Sequence, residues 1–179
     1  MGFTILGQEK VYTGRAFDVE RVSLRLPDGR QRSYDLVRHI NSVTILPLDQ
    51  NGNLLFVRQF RIGVGDDLLE LPAGMMEIDE EPRECAVREV REETGMAAGQ
   101  LELLGDFYLA PGYDSEHMFV FLATDLYADP LTQDADEFLQ LEAIPTAKAF
   151  EMAHSGLIHD SKTLASLMIA QSKLSAWLQ

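Results

Sequence analysis

Residues 74–96, GMMEIDEEPRECAVREVREETGM, decide how the rest of the chain is read. Gly74 is followed at fixed intervals by Glu80, by Arg88-Glu89, by Glu92-Glu93 and by Gly95. Pro82 suits the first turn of a helix, where its missing N–H costs nothing, and Gly95 suits the residue just past the end. The spacing predicts a helix between them. At about 100° per residue, Glu89, Glu92 and Glu93 (i, i+3, i+4) fall side by side on one face. Ala86, Val87 and Val90 make a second face, expected to pack on a core that the carboxylate face stays out of. Adjacent carboxylates repel unless something compensates, and a hard divalent cation with oxygen ligands is the usual compensation. A Glu-rich helix face taken alone is more often solvated surface. The frame around it argues otherwise.

That frame resembles the Nudix box, G-x(5)-E-x(7)-R-E-U-x-E-E-x-G-U with U aliphatic, at every fixed position from Gly74 to Met96. Other pieces are similar to the ADP-ribose pyrophosphatase branch of that family: Val57-Arg58-Gln59-Phe60-Arg61, Glu70-Leu71-Pro72-Ala73-Gly74, the Pro111-Gly112 loop, and the ending from Ser155 to Thr163. The resemblance implies an α/β (α+β) fold, an α/β/α sandwich around a mixed sheet, with an N-terminal antiparallel β-hairpin extension. It also implies a homodimer, in which residues 1–41 form a β-strand subdomain for dimerisation and the base pocket, and residues 42–179 the hydrolase domain.

A diphosphate linkage is kinetically stable because its charged oxygens repel a nucleophile, so its hydrolysis needs cations on the phosphates and a base for water. By resemblance, Glu89 and Glu93 are the principal Mg²⁺ ligands, with Mn²⁺ as a substitute. Glu92 supports the cluster, and the Ala73 main-chain carbonyl completes it. Arg88 is expected to ion-pair within the box and orient a carboxylate. Arg61 is placed to grip a phosphate bidentately, and Glu70 and Glu116 resemble residues that reach substrate or metal. The general base of this branch is a carboxylate in an acidic loop downstream, here Asp134, Asp136 or Glu137. Asp134 is favoured by alignment and Glu137 by reach. Phe17 matches an aromatic that stacks on the base, and Tyr34 stands where relatives often carry Arg as the opposing wall. The resemblance implies Mg²⁺-dependent hydrolysis of ADP-ribose to AMP and ribose 5-phosphate. The altered wall keeps another nucleoside diphosphate sugar, such as GDP-mannose, as the alternative. A non-catalytic ligand sensor would be expected to have lost its carboxylates, and none is missing.

Composition bounds the remainder. The chain has 179 residues, of which 46% are hydrophobic and 25% charged, so it is long enough for a full core. A net charge of −14 argues against nucleic acid or an anionic membrane as partner, while a small anionic substrate remains compatible if cations reverse the field locally. Cys85 is the lone cysteine, which excludes an internal disulfide and points to a cytoplasmic setting. The four histidines lack metal-ligand spacing.

Along the chain, 17–26 and 31–37 read as a hairpin around Pro27-Asp28-Gly29-Arg30, and 42–48 with 54–61 as a second hairpin around Asn51-Gly52. Residues 68–71 are a short apolar run leading to Pro72-Ala73-Gly74, while 101–109 and 117–124 read as strands, with a short strand ending at Leu141. Helices are expected at 146–155 and from Asp160 or Ser161, the last with a core stripe of Leu164, Leu167, Met168, Leu174 and Leu178.

Overall fold

The computed structural model describes residues 2–132 and 138–178. Two compact units divide the chain, one of residues 1–41 with 108–117, the other of 42–107 with 118–179. In the first, β1 (Thr4–Thr13), β2 (Phe17–Arg25) and β3 (Gln31–His39) form an antiparallel sheet in that order. Gly29 makes its predicted turn possible by standing at φ 86, a left-handed conformation that costs other residues strain. Every residue of β1 is exposed. Tyr108 and His117 stack at 4.6 Å across the base of the loop between them.

The second unit contains β4 (Ser42–Pro47), β5 (Asn53–Arg61), β6 (Asp66–Glu70) and β7 (Ala73–Met75), then α1 (Pro82–Thr94) and, except for their end residues Tyr108 and His117, β8 (Met96–Tyr108) and β9 (His117–Ala128). It ends with β10 (Gln140–Pro145), α2 (Thr146–His154), α3 (Ser161–Ala170) and a 3-10 turn at Ser175–Trp177. The strands form two sheets, ordered β10-β5-β6 and β7-β4-β9-β8. Alternate side chains of the central strands enter different cores. Val43, Ile45, Phe121 and Ala123 pack with Cys85, Ala86 and Val90 of α1. Leu46, Phe56, Val120 and Leu122 pack with Phe150 of α2 and Leu167 of α3. Each side chain fully withdrawn from water in this way contributes about 1.5–3 kcal/mol. Helices therefore cover the strands on both sides, as the sandwich expectation requires. Because β4 runs parallel to β9 and antiparallel to β7, the sheet is mixed.

Three sequence expectations need correction. The turn around Asn51-Gly52 forms, with the Asp49 carboxylate accepting from the N–H groups of Asn51 and Asn53 at 2.8 Å. Its strands nevertheless part into different sheets, bridged antiparallel at Leu48 and Leu54. Burial at every residue of β4 explains this, because an element hidden on both faces needs a strand on each edge. The short strand expected to end at Leu141 instead runs from Gln140 to Pro145, paired with β5. The stripe of the last helix is rotated: Leu167 and Leu174 are buried, but Leu164 and Met168 are exposed, and Lys162, Thr163 and Ser166 take their places. Among the described residues, no helix is long and apolar enough to cross a membrane.

Candidate active site

Helix α1 starts where Pro82 and Gly95 predict. Glu81 at its N-terminus forms a capping box with Glu84, and Gly95 closes it at φ 70 with its N–H on the Arg91 carbonyl. Its faces differ from the sequence reading. Val87 is exposed, whereas Glu89 and Glu93, only 7% and 4% exposed, share the buried side with Cys85, Ala86 and Val90. Two carboxylates on a core-facing side need partners, since an isolated buried charge is strongly disfavoured.

Arg88 supplies one set. Its Nε and Nη2 donate to the two carboxylate oxygens of Glu80 at 3.0 and 2.9 Å. Nη1 donates to Glu89 and to Glu92, the latter at 3.0 Å, and Nη2 also reaches the Met75 carbonyl at 3.0 Å. The bond from Arg88 holds the Glu80 carboxyl below the usual carboxylate range against its partial burial, and Glu80, with Glu89, raises Arg88 in turn. Glu80 is a fixed position of the box that received no role from the sequence alone. Burial, aided by the Glu89 charge, pushes the Cys85 thiol up, which suits an inert core residue.

The backbone on which Glu89 rests is equally particular. A Cβ at Gly74 would overlap the Glu89 carboxyl group, so any other residue there would push that side chain out of its present place. One residue earlier, the Ala73 N–H donates to Glu93 at 3.0 Å. Helix α1 thus holds both carboxylates against the backbone of β7. Among the described residues, no three His, Cys, Asp or Glu side chains are already gathered into a metal cage; the Arg88 guanidinium stands among the carboxylates instead. The donor set still fits a hard divalent cation. It is carboxylate oxygen from Glu89, Glu92 and Glu93, more negative than one guanidinium can balance, in a cradle that a Cβ would fill. Glu92 and Glu93 also line an open cleft of about 580 Å³, walled by Pro130, Leu131, Thr132 and Leu141. That size accommodates a small organic ligand.

A second cluster lies at the ends of β5 and β6. Arg61 donates from Nε and Nη2 to the two oxygens of Glu70, at 2.8 and 2.6 Å. Glu70 is 1% exposed and also accepts from Lys162 Nζ, which bridges on to Asp160 at 3.0 Å. Burial would raise the Glu70 carboxyl, but the Arg61 and Lys162 partners outweigh it and hold it below the usual range. Its bond to Glu70 raises Arg61, against burial, with the Asp160 and Glu93 charges adding to the effect. Arg61 therefore lies within electrostatic reach of the box.

Asp134, Asp136 and Glu137 lie outside the described residues. Glu116 sits in the first unit, 3.8 Å from His39 Nδ1. Phe17 and Tyr34 are exposed there, but they do not face each other within one chain. Phe17 pairs with His39 and Tyr34 with Val22, about 16 Å apart along β2 and on opposite faces of the sheet. Sequence reasoning overlooked Lys162 and Asp160. A usable signal was present, since a lysine in the first turn of a helix opposes the dipole unless a carboxylate pairs with it.

Comparison with known proteins matches a NUDIX domain model to residues 38–167. An ADP-ribose pyrophosphatase of Bacillus subtilis is 31% identical over 94% of this chain and 92% of its own length. A GDP-mannose pyrophosphatase of Yersinia enterocolitica is 32% identical over 87% and 88%. The crystal structure of an ADP compounds hydrolase superposes with a TM-score of 0.89 at 29% identity, covering 98% of this chain and 96% of that one.

Proposed function

This chain belongs to the NUDIX family and is a Nudix hydrolase, and from that premise we propose that it cleaves ADP-ribose at its diphosphate linkage with the help of Mg²⁺. Water adds across one P–O bond of the linkage, and the products are AMP and ribose 5-phosphate. The observation that carries this reading is the pair of buried carboxylates, Glu89 and Glu93, held on α1 over the glycine at 74 and the Ala73 N–H.

In this reading Glu89 and Glu93, with Glu92 and the Ala73 carbonyl, hold the cation. Mg²⁺ supplies charge neutralisation on the phosphate oxygens and a fixed orientation for the attacked phosphorus. Arg88 keeps the carboxylates apart and aimed through its bonds to Glu80, Glu89 and Glu92. Arg61, whose side chain is 41% exposed, spends two N–H groups on Glu70 and presents the remainder to a phosphate. A carboxylate among Asp134, Asp136 and Glu137 takes the proton from water, and the cleft beside Glu93, which includes Thr132, adjoins that segment in sequence. Glu116 and Phe17 keep the roles the resemblance implies, but Tyr34 does not form the wall opposing Phe17 within one chain.

A homodimer belongs to the same reading. Strand β1 is exposed throughout and carries Ile5, Val11 and Tyr12 uncovered, which favours a second copy as its cover. Light scattering should then report about twice the 20.1 kDa chain mass; a fully active monomer would exclude a shared site.

The substrate is tested by a panel of ADP-ribose, GDP-mannose and other nucleoside diphosphate derivatives, with products identified. ADP-ribose is expected at the head of the panel with AMP as a product. If GDP-mannose leads and ADP-ribose is among the poorest, the specificity is that of the second reading, which the similarity to GDP-mannose pyrophosphatases favours.

A further inference from the structure

We propose that Lys162 is a positioning residue for the reaction, acting through Glu70 to hold the Arg61 guanidinium at the phosphate. The proposal rests on the phosphate-gripping role given to Arg61 above. Lys162 is 8% exposed, and Glu70 beneath it 1%. A lysine is rarely placed so deep unless it is paired. Its ammonium group touches two carboxylates, Glu70 and Asp160, and Asp160 is itself fixed by capping α3 through the Thr163 N–H at 2.9 Å and hydroxyl at 2.6 Å. Lys162 is thus anchored to the start of a helix.

What it anchors is the segment leading into the box. Thr163 Oγ1 accepts from the Leu71 N–H at 2.8 Å, the Pro72 carbonyl accepts from the Ile45 N–H at 2.8 Å, and the Ala73 N–H ends on Glu93. Residues 70–73 are therefore gripped by α3 at one end and by α1 at the other. Glu70 is the member of this segment that faces Arg61, and its two oxygens fix the guanidinium plane by a paired bond. With Lys162 also on Glu70 the carboxylate has a single stable orientation, and so does the fork that rests on it. Removal of the ammonium leaves Glu70 one cation, and the Arg61 fork is then free to swing with it. Because Arg61 would contact phosphate in both the ground state and the transition state, the loss should appear mainly in KM.

The test is a double-mutant cycle of Arg61→Ala and Lys162→Met, with kcat and KM measured on the best substrate of the panel and folding checked by circular dichroism. Lys162→Met is expected to raise KM about tenfold with kcat little changed, and to add no further rise in the Arg61→Ala background, as coupled residues do. Lys162→Arg, which keeps the cation, should restore most of the KM. If Lys162→Met raises KM equally with and without Arg61, the proposal is overturned and Lys162 acts elsewhere; an unchanged KM in the folded single variant overturns it too. If Arg61→Ala itself leaves KM unchanged, the reading of Arg61 as a phosphate contact fails and takes the proposal with it. Where Lys162→Met does not fold, Lys162→Gln, which keeps one donor, carries the same cycle with the same outcomes.

Discussion

Two charged clusters in the second unit differ in their arithmetic. Among the described residues, three carboxylates, Glu80, Glu89 and Glu92, stand around the Arg88 guanidinium. Around Glu70 stand two cations, Arg61 and Lys162, with Asp160 as the second carboxylate, so the charges cancel. The balanced cluster includes the most buried charge of the two, Glu70, and ties strand to helix. The unbalanced one retains an excess of negative oxygen, with Glu93 one helical turn from Glu89, which a divalent cation would offset. In the proposed reading, balanced charge serves geometry, and surplus charge serves a ligand. Each cluster should therefore fail in its own way when altered.

The largest expected effect concerns the base proposed to act with the unbalanced cluster. Asp134, Asp136 and Glu137 are to be changed singly to Asn or Gln and kcat followed against pH at saturating metal. Removal of the base should lower kcat by about 100-fold to 10,000-fold and flatten the acidic limb, while the other two variants stay near wild type. Should all three stay near wild type, the base lies elsewhere, and Glu92 and Glu116 are the next to test.

Next comes the balanced cluster. Glu70→Gln leaves Arg61 and Lys162 without their shared carboxylate, and breaking a buried pair in this way costs about 3–5 kcal/mol. Urea denaturation of the metal-free protein measures it. A loss below about 1 kcal/mol, the scale of an exposed pair, would erase the distinction between the clusters.

A smaller effect concerns pH. The folded-state pKa of Glu70 is depressed, so its contribution to stability is fully present above the ordinary glutamate value of about 4.3. It is lost as pH falls through the depressed value, because there the unfolded chain binds the extra proton. The urea midpoint should therefore fall more steeply below about pH 4.3 in wild type than in Glu70→Gln. Equal slopes would mean that Glu70 is not held by its cations.

Much of this was legible in the sequence, and the exceptions share a cause. The helix of the box was legible from Pro82 and Gly95, which are local requirements of its ends, and its chemistry from the resemblance of the whole frame to the Nudix box. The strands of the hairpin at 17–39 were read the same way, from turn chemistry and β-forming residues. Which sheet a strand joins is not local, so β4 and β5 were paired with each other although burial on both faces sent them to different neighbours. Rotation of a helix about its axis is not local either. Val87 and Met168 looked apolar enough for a core, yet the elements packed on α1 and α3 selected Glu89 and Glu93, and Lys162 and Thr163, for the buried side. Those polar residues are buried because partners distant in sequence receive them, and a single chain of letters does not show the partner.

The most direct measurement is ADP-ribose hydrolysis titrated with Mg²⁺ in wild type and in Glu93→Gln, a change that preserves shape and removes one charge from the surplus. Wild type should be inactive in chelator and activated saturably, and Glu93→Gln should remain folded with kcat at least about 100-fold lower at saturating Mg²⁺, roughly 2.7 kcal/mol of barrier. Full hydrolysis in chelator, or wild-type kcat in Glu93→Gln, would contradict the account.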